Sequence, residues 1–246
     1  MTLERPLRRF RPALALVAAL ALSLGACSGG DDADATPTPA PPDPAAILAE
    51  AADRTAALKT FHFVLSHEKG ATEIVLDLDM KRAEGDVIAP DRLKAKVKAE
   101  VIRLGGADVE VEIVAVGEDA KVQNPFNKRQ WLDIPGKNPI DEIFDPAAGS
   151  RAALRAVRSP RIAGEEEIGG AVVWRIEGEI DAGALSDFAK VAEAGYVVKG
   201  IVWIGKADGL MRKVRLEGPL GLGDDKEVVR ILELSRFDEP ISIELP

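Results

Sequence analysis

The sequence predicts an α+β domain, a large bent antiparallel sheet with a few helices packed on one face. Three observations carry that expectation. The segments FHFVLSHE, TEIVLDLDM, LKAKVKAEV and ADVEVEIVAV alternate apolar and polar residues, the period-two pattern of strands with one wet face. VVWRIEGEI, GIVWIGKADGLMRKVRLEG and KEVVRILELSRF repeat the pattern toward the C-terminus. Strand segments outnumber helical ones by about three to one, and helices set apart from runs of strands mark the α+β class.

The chain opens with Arg5, Arg8, Arg9 and Arg11, an apolar stretch from Ala13 to Leu24, and small residues Gly25 and Ala26 ahead of Cys27. This is the order of a secretory signal, which assigns residues 1–26 to a signal peptide. The apolar run is about a dozen residues, short of the roughly 20 that a helix needs to cross a hydrocarbon core. Leu24-Gly25-Ala26-Cys27 resembles the bacterial lipobox, and the resemblance implies diacylglycerol on the Cys27 sulfur and cleavage that leaves this residue first. Cys27 is the one cysteine of the chain, so no disulfide is available and the domain must hold by its core.

Residues 27–44 then form the lipidated N-terminus and a Pro/Asp-rich tether. SGGDDADATPTPAPPDP has no large apolar residue to offset the entropy of ordering, so it is expected to stay disordered. Extended, it reaches at most about 60 Å. The formal net charge is −9, and without residues 1–26 it becomes −12, from 28 basic and 40 acidic side chains. An acidic chain with no basic run is repelled by phosphate backbones and anionic lipid surfaces, which argues against nucleic acid as a partner. Membrane attachment must come from the lipid on Cys27, each buried methylene adding about 0.8 kcal/mol.

Residues 45–246 are enough for a single domain with a sizeable core. PDPAAILAEAADRTAALKT predicts a helix with Asp43 as N-cap, Pro44 at the first position and a weak apolar face of Ile47, Ala51 and Leu58. In LKAKVKAEV, Leu93, Ala95, Val97, Ala99 and Val101 share one face, and in ADVEVEIVAV Val109, Val111, Ile113 and Ala115 do so. A three-residue Leu104-Gly105-Gly106 loop would pair Val101 with Val109 and Lys98 with Glu112. Asp208-Gly209 suggests a two-residue type I′ turn that sets Trp203 opposite Val214 and Ile201 opposite Leu216. DAGALSDFAKVAEAG is expected to form a short helix ending at Gly195. NPIDEIFDPAAGSRAALRAV is expected to pass from irregular chain into a helix whose first turn holds Pro146.

Catalytic groups are scarce. His62 and His67 lie five apart, so on an extended strand they face opposite ways. The chain has neither an HExxH pair nor a GxSxG elbow. Gly218, Gly221 and Gly223 fall between two strand segments and read as a hairpin loop, not a phosphate cradle. Asp77 with Asp79, Glu110 with Glu112, and the run Glu165 to Glu167 read as solvated sheet faces. A non-enzyme is expected, with no cofactor, metal or nucleotide implied.

Three stretches carry a wider resemblance: ILAEAADRTAALKTFHFVLSHE, QWLDIPGKNPIDEIFDPAAG, and VWIGKADGLMRKVRLEG followed by VVRILELSRFDEPISIELP. In these the chain resembles the LppX/LprG-type (LppX_LprAFG) lipoproteins of actinobacteria, relatives in fold of the LolA/LolB carriers. The resemblance implies a half-barrel of strands around helices, with an apolar cavity on the concave face that takes the acyl chains of a lipid or glycolipid. On this chain the cavity-lining positions would be Phe63, Leu65, Ile74, Leu76, Leu78, Leu93, Val97, Val101, Val109, Val111, Ile113 and Trp131. It further implies export to the outer face of the cell membrane and an envelope transporter as partner. The alternative is a non-catalytic structural or interaction lipoprotein with a filled core.

Overall fold

The computed structural model describes residues 41–73, 78–102, 105–134, 146–186 and 192–246. Helix α1 spans Pro44–Ala56. Asp43 caps it by accepting from the Ala45 N–H at 3.0 Å, and proline at the first turn gives up a donor that has no helical partner. Leu48, Ala51, Ala52 and Thr55 form its buried stripe. Leu58, expected on that face, is buried just beyond the helix end.

The strands are β1 (Thr60–Lys69), β2 (Thr72–Glu73), β3 (Leu78–Ile88), β4 (Arg92–Val101), β5 (Ala107–Val116), β6 (Asp119–Asn124) and β7 (Asn127–Asp133). Helix α2 (Pro146–Arg155) follows, then β8 (Arg158–Ile168), β9 (Ala171–Asp181), β10 (Val197–Gly205), β11 (Met211–Glu217) and β12 (Val229–Ser235). One antiparallel sheet orders them β7-β6-β5-β4-β3-β1-β12-β11-β10-β9-β8, with β2 set against β3. The sheet is open, its edges being β7 and β8. The α+β architecture read from the period-two segments is the one found. The two helices pack on each other, α1 also against β8, β10 and β11.

Register partners share a face, and following them across the sheet traces one apolar row. Ile162, Ile176, Val202, Val214, Leu232, Leu65, Ala83, Val97 and Val111 stand side by side from β8 to β5. That row is the floor of the main core. A second small cluster of Val173, Ile201 and Trp203 lies on the opposite face, where Trp203 Nε1 donates to Glu166 Oε2 at 2.9 Å.

Several local expectations are corrected. In β4–β5, Val97 pairs with Val111 and Lys98 with Glu110, two residues from the expected register, because the connection runs from Ile102 to Gly106 and is longer than three residues. The Gly106 N–H bonds the Val101 carbonyl, and Gly105 and Gly106 take positive φ. A slip of two leaves each side chain on its face, so apolar still meets apolar. In β10–β11 the slip is one residue and does change faces. Val202 pairs with Val214, and Trp203 with Lys213, because the loop spans Lys206 to Leu210 and Arg212 is bulged. The predicted helix from Asp181 to Gly195 is a 3-10 turn at Ala182–Leu185, Ala192 to Gly195 are not helical, and residues 187–191 lie outside those described.

Candidate functional site

The concave face of β1 and β3–β5 combines small and branched apolar residues. On β4, Leu93, Ala95, Val97 and Ala99 are buried while Val101 is half-buried. On β5, Ala115 is fully buried, whereas Ile113, Val111 and Val109 are half-buried. Phe63 is buried and Leu65 half-buried on β1. Burial therefore fades toward the β4–β5 connection, leaving an apolar stripe that begins in the core and opens at one end of the sheet.

The opposite face fixes this orientation. Lys94 pairs with Glu112 at 3.1 Å and Lys98 with Glu110 at 3.7 Å, so a flipped strand would bury charge. Gly85 of β3 lets strands approach closely under Phe63: a Cβ there would stand 2.1 Å from the Lys94 carbonyl oxygen and 2.7 Å from Ala95 Cα. With Ala95 opposite it and Ala83 two residues along β3, this part of the concave surface is built from small side chains.

Among the residues expected to line a cavity, Phe63, Leu65, Leu93, Val97, Val101, Val109, Val111 and Ile113 share this face in the register. Leu78 stands opposite Val101. Ile74, Leu76 and Cys27 lie outside the described residues. Trp131 is a correction. It pairs with Gln123 beside the Lys121–Asp133 pair, on the face opposite Ile113 and Val122, and Leu132 is the residue that joins the concave side. The pattern of NKRQWLD holds the information, but its register depends on β6, whose DAKVQN is too polar to stand out as a strand.

Two clefts lie elsewhere. One of about 520 Å³ is walled by Lys69, Glu179, Lys199, Arg215, Glu217 and Lys226 among others, a charged lining unsuited to acyl chains. The other, about 100 Å³, sits beside α1 between Arg54 and Trp174. The histidines do not converge: His62 Nδ1 meets Asp86 Oδ1 at 2.8 Å, whereas His67 bonds Thr72 and the Lys81 carbonyl. Among the described residues there is no cluster of histidines and carboxylates fit to hold a metal, and no helix long and apolar enough to cross a membrane.

Comparison with known proteins agrees with this geometry. The chain is 27% identical over 247 residues to the lipoarabinomannan carrier protein LprG of Mycobacterium bovis, covering 97% of each. It is 24% identical over 217 residues to LprG of Mycolicibacterium smegmatis, covering 87% of this chain and 88% of that one. LprF from Mycobacterium bovis shares the fold at a TM-score of 0.62 and 18% identity, over 82% of this chain and 96% of LprF. LppX from Mycobacterium tuberculosis does so at 0.56 and 22%, over 81% and 98%. The profile of one family covers residues 43–243, nearly all of the folded part, and the chain belongs to that family, the LppX_LprAFG lipoproteins.

Proposed function

We propose that this chain is an exported, non-catalytic lipoprotein that shelters the acyl chains of a lipid or glycolipid on its concave sheet face. Residues 1–26 direct export, acylated Cys27 holds the protein to the outer face of the cell membrane, residues 27–44 are the tether, and 45–246 the carrier domain. The observation that carries the reading is the apolar stripe from Ala115 through Ile113 and Val111 to Val109, fully buried at one end and half-open at the other. Acyl chains laid along it would be held by burial at about 25 cal/mol per Å² of apolar area. The relatives named as lipoarabinomannan carriers point to a lipoglycan as the cargo class. Handing such a cargo on calls for an envelope transporter or acceptor as partner.

A second reading has its own support. Leu93, Ala95 and Val97 are each at most 8% exposed, which fits a filled core whose loops engage an envelope protein. Mass spectrometry of organic extracts from the purified protein separates the two. The carrier reading expects a stoichiometric lipid or glycolipid from the native host or from added vesicles, and persistent absence of lipid from both sources would replace it with the filled core.

A further inference from the structure

At one end of the concave face the apolar row gives way to four polar side chains that bury one another. Arg230 of β12 stands opposite His67 of β1. Its Nη2 donates to Asp224 Oδ1 at 2.6 Å, with both side chains less than a tenth exposed. Its Nε donates to Thr72 Oγ1 at 2.8 Å. Thr72 Oγ1 is also 2.8 Å from His67 Nε2, and His67 Nδ1 is 3.2 Å from the Lys81 carbonyl. A carbonyl only accepts, so Nδ1 carries the imidazole proton. Thr72, accepting from Arg230, gives its own hydrogen to Nε2. With His67 neutral the donors run in one direction, from Arg230 to Thr72 to Nε2, and each of these contacts is satisfied.

The same cluster ties down a loop. The second oxygen of Asp224 accepts from the Leu220 N–H at 2.7 Å, Leu220 is buried in the core, and its carbonyl accepts from the Glu193 N–H. We propose that His67, Thr72, Arg230 and Asp224 form an acid-sensitive latch holding the connection between Gly218 and Val228 against this end of the concave face. Protonation would turn His67 Nε2 from acceptor into donor, deprive the Thr72 hydroxyl of its acceptor, and place a half-buried second cation beside buried Arg230. Arg230 has no slack to absorb this, since its Nη1 is buried and without a partner among the described residues.

Burial is the main force keeping His67 below its ordinary value of 6.5. The charges of Arg230 on β12 and Lys81 on β3 act in the same sense, while the Lys81 carbonyl and the Asp224 carboxylate oppose them. For a group whose folded pKa is depressed, the closed state has its full stability above 6.5 and loses it as pH falls through the folded value. The closed-to-open ratio falls by at most about tenfold per pH unit in that window. The latch rests on the carrier reading only for its consequence, lipid release, so the two are tested separately.

Hydrogen exchange followed by mass spectrometry on the intact protein reads both members. Exchange at the imidazole C2 gives the titration of His67 and His62 individually, while amide protection, corrected for intrinsic rates, gives the opening of Gly218 to Val228. The expected result is a His67 midpoint below 6.5, with protection of that loop falling through the same pH range, and a pH-independent loop in His67→Gln. A midpoint at or above 6.5, or loop protection that ignores His67, overturns the latch, and both are read on the wild type should the variant not fold. If the latch opens and no lipid is ever bound, the carrier reading fails and the latch stands.

Discussion

Val97 of β4 and Val111 of β5 are direct register partners on the concave face, Val97 buried and Val111 half-buried. The two sit where the apolar stripe passes from closed core to open end, so the same enlargement at each reports on different surroundings.

Val111→Trp is expected to melt close to the parent and to co-purify with much less lipid, because its indole enters open space. Val97→Trp tests the closed end. Overpacking a filled site costs about 1–3 kcal/mol, whereas a bulky residue that displaces only acyl chain costs little. Thermal melts paired with lipid extraction of a soluble form beginning near Pro44 give both readouts. If both variants melt far below the parent and the parent carries no lipid, the interior is filled.

Cys27→Ser should release the protein from the membrane fraction and block processing by the lipoprotein route, since serine offers no thiol to acylate. Fractionation with a carbonate wash checks this, and retention of the variant would argue for an uncleaved apolar helix.

Asp224→Ala should destabilise the fold by about 3–5 kcal/mol, because it strands the Arg230 guanidinium in a buried site. The double variant Asp224→Ala, Arg230→Met should regain most of that loss in urea melts. An equal or larger loss in the double variant would show that the pair itself, not the stranded charge, carries the stability.

Gly85→Ala should cost about 1–3 kcal/mol, although its φ is ordinary, since the added methyl meets backbone of β4. Gly105→Ala meets no neighbour, but its φ of +72° is strained for an L side chain, so a loss of about 1 kcal/mol is expected there. Comparing the two by denaturant melts separates packing from backbone strain.

The strands with strict alternation were legible in the sequence, as β1, β4, β5 and β9 show. Those missed share a physical reason. The run from Lys81 to Ile88 continues β3, but a bulge between Met80 and Arg82 breaks its period, and charged Arg82, Glu84 and Asp86 with Gly85 hide the inward Ala83 and Val87. β8 carries Pro160 and three glutamates, tolerable because it is an edge strand, and its own bulges disrupt the pattern further. Turn chemistry misled at Asp208-Gly209: Asp208 is spent on Arg212 and the Leu210 N–H, and the loop that results is longer than a two-residue turn. Which residues of β4 and β5 share the inward face was recognisable from alternation alone. Trp131 was misplaced because its face is set by pairing with β6, and the buried Arg230 cluster was invisible because its four members come together only across β1, β2, β12 and a loop.

The place of β1 at the centre of the sheet, between β3 and β12, decides when the molecule can form. Among the strands up to Asp133 only β1 has a partner outside that half, and among those from Arg158 to Glu217 only β11 does, in both cases β12, so the rest of each half forms as a meander of local hairpins. What joins them is Phe63 against Leu234 and Leu65 against Leu232, contacts between nearly the first and nearly the last residues of the domain. A chain still emerging without β12 exposes the edge of β1 and its apolar side chains, a template for wrong partners. Such long-range closure makes folding slow and late, which would suit the proposed export, since a chain that has not yet closed its sheet is still unfolded enough to be translocated.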